Sequence, residues 1–152
     1  MSAVRFERVS KRFGTQTVLD DLSFEVPAGR AFCLLGRSGT GKSVTLRHIV
    51  GLVRPDSGHV FVEDRDVTTL AGRDLAAVRK RMGFLFQNAA LFDSMSVGEN
   101  VAFPMRRHTD WSDADIRGRA ARKLADVGLE QEFDKMPADL SGGMKKRAGL
   151  AR

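Results

Sequence analysis

The run Gly36-Arg37-Ser38-Gly39-Thr40-Gly41-Lys42-Ser43 constrains this chain more than any other feature. It fits the pattern of a glycine, four arbitrary residues, then Gly-Lys-Ser/Thr. Before it lies Ala31-Phe32-Cys33-Leu34-Leu35, apolar on both faces, which predicts a central strand covered by helices on both sides. After it, Ser43 to Leu52 reads as a helix, with Gly51 and Pro55 marking its exit. Glycines let the backbone curl so that successive N–H groups point inward at an anion. A helix that starts near Lys42 aims the positive end of its dipole at the same point. Lys42 adds a point charge for the β- and γ-phosphates, and the Ser43 hydroxyl is a ligand for Mg²⁺. The whole segment, Gly36, Arg37, Ser38, Gly39, Thr40, Gly41, Lys42 and Ser43, therefore predicts a cradle for the phosphates of a nucleotide, ATP.

Composition narrows the setting. Apolar residues make up 42% of the 152 and charged residues 29%, which predicts a soluble globular domain rather than a disordered chain. No stretch reaches the roughly 18 consecutive apolar residues of a membrane span. The N-terminal residues Met1-Ser2-Ala3-Val4-Arg5 contain no apolar core of a secretory signal. Cys33 is the single cysteine, so an internal disulfide is excluded and a reducing compartment fits. The net charge of +6 raises nucleic acid as a partner, but the basic residues are dispersed rather than gathered in a stripe. The expectation is no nucleic-acid binding.

Alternation places strands at Val4–Phe6 and Leu22–Val26, and the short apolar runs Val60–Val62 and Gly83–Phe86 suggest two more. Leu75, Val78 and Met82 share one helical face. Beyond Gln87 the strand signals stop. Val97 to Phe103 reads as a short helix halted by Pro104. Ile116, Ala120, Leu124 and Val127 form an apolar helical stripe, with Ser112 as its N-cap and Gly128 just past its end. Residues 1–87 thus read as an α/β core and 88–152 as a helical subdomain. Arg152 falls inside an apparent helix with no capping glycine, which predicts a chain that is the N-terminal part of a longer protein.

A second glycine cluster, Leu140-Ser141-Gly142-Gly143-Met144, opens another helix and offers free N–H groups to an anion. The glycine-rich loop, then Gln87, then this Leu-Ser-Gly-Gly, is an order that resembles the nucleotide-binding domain of ATP-binding-cassette (ABC) transporters over the entire chain. The resemblance implies a P-loop core with an antiparallel β portion and a helical subdomain. It implies that Phe13, in Lys11-Arg12-Phe13-Gly14, stacks on adenine where the family more often has tyrosine. It implies that Gln87 approaches Mg²⁺ together with Ser43, assists hydrolysis and senses a membrane subunit. Two copies pair head to tail in this family, so Ser141, Gly142 and Gly143 would meet the ATP of the partner copy.

The segment from Phe86 to Pro104, the loop continuing to Val44, and Met144 in place of the usual glutamine are similar to the ATPases of Mla-type, mammalian-cell-entry (MCE) associated transporters. Such ATPases sit on the cytoplasmic face of the bacterial inner membrane. There they bind a permease through the segment after Gln87, work with an MCE-type substrate-binding protein, and drive phospholipids between inner and outer membranes. The alternatives are an ABC ATPase of another importer and a soluble ABC protein without a permease.

In the family the Mg²⁺-holding Asp, the adjacent Glu and a later His follow the Leu-Ser-Gly-Gly signature, here Leu140 to Gly143. The resemblance therefore implies that residues 1–152 bind ATP without hydrolysing it alone. Glu63 and Asp64, after Val60-Phe61-Val62, mimic such a strand end but read as an exposed strand end of the antiparallel β portion. Cys33 reads as a small core residue, His48 as packed or surface, and Trp111 as a staple or surface anchor. His59 and His108 have no partner at metal-ligand spacing.

Overall fold

A computed structural model of the chain describes residues 2–152; Met1 lies outside the described residues. The chain divides into two compact units, one ending at Phe84 and one spanning Leu85–Arg152.

The first unit is built on a four-stranded antiparallel sheet in the order β2-β1-β3-β4. β1 runs Ser2–Phe13, β2 Gln16–Pro27, β3 Ser57–Val62 and β4 Arg65–Asp66. Phe6 and Val9 are both buried although they stand three positions apart, which a regular strand forbids. A pair of bulges resolves the conflict. Phe6 pairs with Phe24, but the next pair is Val9 with Leu22, so Arg8 is an extra residue on β1. The following pair is Lys11 with Leu19, so Asp21 is an extra residue on β2. Both extra residues have φ of 47°. Their freed N–H groups are taken by hydroxyls of the opposite strand: Arg8 donates to Ser23 Oγ at 2.8 Å and Asp21 to Ser10 Oγ at 3.0 Å.

One helix of this unit is α1 (Lys42–Ile49), which buries Thr45 and His48. The other is α2 (Gly72–Arg79), which buries Val78. Val44, Ile49, Leu75 and Met82 pack against the sheet core of Phe6, Val9, Leu19, Val60, Val62 and Val67. Arg79 donates to the carbonyls of Val50 and Gly51 at 2.8 and 2.9 Å, satisfying acceptors left open where α1 ends.

The second unit is helical: α3 (Val97–His108), α4 (Asp113–Asp126) and α5 (Gly142–Ala151). Its core joins Val97, Val101, Ala102 and Met105 of α3 to Ile116, Ala120 and Leu124 of α4 and Ala148 and Ala151 of α5. Ser112 caps α4 by accepting from Asp115 N, and Gly128 follows its end with φ of 66°, as the residue types predict.

Four expectations fail. Ala31–Leu35 forms no strand and pairs with none of the sheet; Leu35 is 88% exposed. A strand apolar on both faces needs paired neighbours on both sides and helices above and below; none of the four strands pairs with this segment, although Phe32 stacks on Phe24 of β2 with ring centroids 5.1 Å apart. Cys33, on the same segment, is exposed rather than a core residue. Gly83–Phe86 is likewise not a strand, and Leu85 and Phe86 are exposed. Pro104 does not stop α3, which continues to His108. The proline removes one backbone bond, but the stripe of Val101, Ala102 and Met105 runs across it and keeps the last turn on the core. Thr109 N still donates to Met105 O at 2.9 Å.

Candidate nucleotide-binding site

The loop from Gly36 to Ser43 folds around the side chain of Lys42. The ammonium donates to the carbonyls of Gly36 and Arg37 at 2.8 and 2.6 Å. Thr40 Oγ1 also donates to Arg37 O at 2.9 Å, which tightens the turn. Gly39 and Gly41 have φ of 84° and 88°, a region that side chains with a Cβ rarely enter. Gly41 is needed twice, because a Cβ there would lie 2.9 Å from Leu19 Cδ2 and 3.0 Å from Val18 O. The β2 strand thus forms the floor on which the loop turns into α1. Thr45 N donates to Gly41 O at 2.8 Å, the first bond of the helix. The amides of Lys42, Ser43 and Val44 therefore have no intrahelical acceptor and are the donors a helix start offers to an anion.

Residues 36–40 and Ser43 are exposed, while Gly41 is buried. Segment 36–43 carries Arg37 and Lys42 and no acidic residue. Its chemistry is that of a receptor for a polyanion. The Ser43 hydroxyl, a hard oxygen donor in the first helical turn, suits Mg²⁺. Among the described residues no group of three or more His, Cys, Asp or Glu could hold a metal. A cation here would therefore take most of its ligands from phosphate oxygens and water, which is how Mg²⁺ prefers to be bound.

Phe13 stands at the tip of the β1–β2 hairpin, 49% exposed, with Lys11 Nζ 5.5 Å from the ring centroid. Asp56 anchors this tip: its carboxylate accepts from Lys11 Nζ and Arg12 N, both at 2.7 Å, and its own N–H donates to Ser10 O. Hydrogen bonds from the Lys11 ammonium and the Arg12 amide hold the Asp56 carboxyl below the usual carboxylate range. Nothing in the sequence marked Asp56 for this role, because its partners lie more than 40 positions away.

In the helical unit Gln87 is exposed at the start of the turn 87–90. Ser141 caps α5: its Oγ accepts from Met144 N at 3.3 Å, and its carbonyl accepts from Lys145 N at 2.9 Å. Gly142 and Gly143 are exposed, with open space where a Cβ would stand. This helix start presents bare backbone N–H groups to solvent.

Asn100 is a residue that pattern reading passed over. It is fully buried. Its Oδ1 accepts from Phe92 N at 2.7 Å, and its Nδ2 donates to the carbonyls of Phe92, Met95 and Ser96 at 3.0 to 3.1 Å. It fixes the segment that leads from Gln87 into α3. Ser96 and Glu99 add a reciprocal capping box at the same place. The Ser-x-x-Glu spacing of that box was a readable signal; the buried asparagine was not.

Known proteins decide the family. The family model described as ABC transporter matches residues 19–152. The chain belongs to this family. The fold agrees: the dimeric ATP-binding cassette solved in a post-hydrolysis state with ADP and Pi is 28% identical, with a TM-score of 0.90 over 97% of this chain and 67% of that one. The chain is therefore an α/β ABC nucleotide-binding domain with its antiparallel portion and its helices. Among curated relatives, the probable ribonucleotide transport ATP-binding protein mkl of Mycobacterium leprae is 42% identical over 150 residues, which is 99% of this chain and 43% of that protein. The intermembrane phospholipid transport system ATP-binding protein MlaF of Haemophilus influenzae is 40% identical over 149 residues, 98% of this chain and 56% of that protein. A methionine import ATP-binding protein MetN of Bradyrhizobium diazoefficiens is 39% identical over 155 residues, 98% of this chain and 44% of that protein. The chain spans less than half the length of the first curated relatives it matches.

Proposed function

We propose that this chain is the ATP-binding part of an ABC transporter ATPase that drives phospholipids between the inner and outer membranes. The observation that carries the ATP reading is the loop wrapped on Lys42, with three unbonded helix-start amides beside it. Gly36, Arg37, Ser38, Gly39, Thr40, Gly41, Lys42 and Ser43 hold the phosphates. Phe13 offers its exposed ring face to the adenine. Ser43 and Gln87 ligate Mg²⁺, which when bound draws negative charge from the phosphates. Ser141, Gly142 and Gly143 meet the ATP of a second copy, consistent with the dimeric form of the structurally similar cassettes.

The lipid reading rests on the likeness of Phe86–Pro104 to Mla-type ATPases and on the 40% identity to MlaF. It places the subunit on the cytoplasmic face of the inner membrane, held by a permease and serving an MCE-type binding protein. No helix among the described residues is long and apolar enough to cross a membrane. The ribonucleotide and methionine relatives, at 42% and 39%, support a second reading, the ATPase of another importer.

The test uses the full-length protein with its permease in proteoliposomes. ATP-dependent transfer of fluorescent phospholipid is expected, and Lys42→Ala should abolish both transfer and binding of a fluorescent ATP analogue. Lipid transfer that persists without Lys42 would defeat the ATP reading. Methionine or ribonucleotide uptake without lipid movement would replace the lipid reading by the second.

A further inference from the structure

The turn after Gln87 is strained, and the far end of the signature helix holds it. Ala89 and Ala90 both lie in the left-handed region, with φ of 59° and 51°. Each such residue with a Cβ costs on the order of 1 kcal/mol, and two in succession need a surrounding structure that imposes them. Ala89 is buried, 3% exposed, and its N–H donates to Phe86 O at 2.9 Å. Two contacts from α5 bear on the pair. Gly149 leaves room for Ala89: a Cβ at Gly149 would stand 3.0 Å from both Ala89 Cβ and Leu85 Cδ1. The Arg152 guanidinium donates to Ala90 O at 2.7 Å and lies 5.4 Å from the Phe92 ring centroid.

Helix α5 is a ten-residue rod. Its first turn is the Ser141-Gly142-Gly143 helix start. Its last turn touches the strained pair directly. A helix is stiff along its axis, so displacement at one end reaches the other without passing through the rest of the helical core.

We propose that α5 links the two functional ends of the helical unit mechanically, with Gly149 and Arg152 as positioning residues that set the conformation of the Ala89–Ala90 turn. The proposal rests on the transporter reading above, in which the segment after Gln87 faces the permease. Engagement of Ser141–Gly143 by the partner copy's nucleotide then shifts α5 against Ala89. The turn, already near its limit, changes conformation rather than deforming smoothly.

The experiment uses the full-length ATPase with its permease and compares wild type, Gly149→Ala and the pair Gly149→Ala with Ala89→Gly. The single variant forces Ala89 to give by a few tenths of an ångström. It should leave basal hydrolysis unchanged and cut permease-stimulated hydrolysis by about five-fold or more, the low end of allosteric coupling. Ala89→Gly removes the crowding methyl and tolerates the left-handed region, while the new Cβ still meets Leu85 Cδ1 at 3.0 Å and the Cα at position 89 at 3.2 Å, so the double variant should recover part of the stimulation. Full stimulation in the single variant, or no recovery in the double, overturns the proposal. If the wild type is stimulated by no membrane protein, the transporter reading fails by itself. Amide exchange of residues 88–92 on adding ATP then decides the mechanical link. A nucleotide-dependent change in wild type that Gly149→Ala removes supports it; identical behaviour in both rejects it.

Discussion

Removing Asn100 tests the clamp that holds the segment between Gln87 and α3. Asn100→Ala leaves Phe92 N–H without its acceptor and deprives the carbonyls of Phe92 and Met95 of a donor, at a site with no solvent access. Ser96 O and Phe92 O keep partners, because Asn100 N and Met95 N donate to them. Each buried group left unmade costs about 1–3 kcal/mol. Phe92 N–H and Met95 O, the two groups left without partners, give a loss of roughly 2–6 kcal/mol. Urea unfolding followed by the fluorescence of Trp111, the sole tryptophan and a member of the same unit, reports the change locally. With a slope of about 1.5–2 kcal/mol per molar, the midpoint should fall by roughly 1–4 M. Asn100→Asp separates hydrogen bonding from packing. It keeps the volume and the acceptor for Phe92 N–H but turns an oxygen toward three carbonyls. It should be at least as damaging at neutral pH and recover partly in acid, where the protonated carboxyl donates again. A loss below about 1 kcal/mol for Asn100→Ala, or an Asn100→Asp variant as stable as the parent at neutral pH, would refute the clamp.

Further outcomes follow from other sites. Gly58→Ala places a Cβ 2.2 Å from Arg8 O at a φ of 83°, so it should lower the thermal midpoint by well over the few degrees of an ordinary surface change; a normal midpoint contradicts the packing of β1 on β3. Burial pushes the His48 imidazole below its ordinary value, with the nearby Lys11 charge adding to it and the Val44 carbonyl opposing it. The unfolded chain then takes up the proton first, so stability should fall as pH drops below about 6.5 and level off beneath the folded value. A His48→Gln variant should lose that slope in acid titrations, and a slope that survives would exonerate His48. Residues 1–152 alone should bind an ATP analogue through Lys42 and release no phosphate; Lys42-dependent release would show that the hydrolytic groups are already present.

Much of this molecule was readable because its signals are local. The Gly-Lys-Ser loop, the Ser112 and Ser141 caps and the Ile116–Ala120–Leu124 stripe each depend on residues within one or two turns of each other. The failures were non-local. Ala31–Leu35 carries the composition of a central strand, but a strand exists only with neighbours, and composition cannot say whether they are beside it. Pro104 was judged by its own backbone chemistry, while Met105 on the core decided the outcome. Asp56 and Asn100 escaped notice because a single polar residue shows no period, and their partners are set by the fold. Among site residues the loop was most legible, since its geometry follows from residue type; the tip that presents Phe13 depends on Asp56 and was not.

The two bulges of the β1–β2 hairpin bear on how this chain can change length. Arg8 adds a residue to one strand and Asp21 adds one to the other, so the pairing frame is offset at Val9 and Leu22 and restored by Lys11 and Leu19. Deleting either residue alone would leave the strands out of frame and slide every later pair toward the hairpin tip, carrying Phe13 with it. Deleting both would leave one continuous frame from Val4 to Lys11, with Phe6 and the old Val9 now two positions apart and still on one face, while the shifts at Ser2 and Arg12 remain. Insertions and deletions at these positions are therefore tolerated as a pair and rejected singly, a correlation in chain length rather than in residue identity.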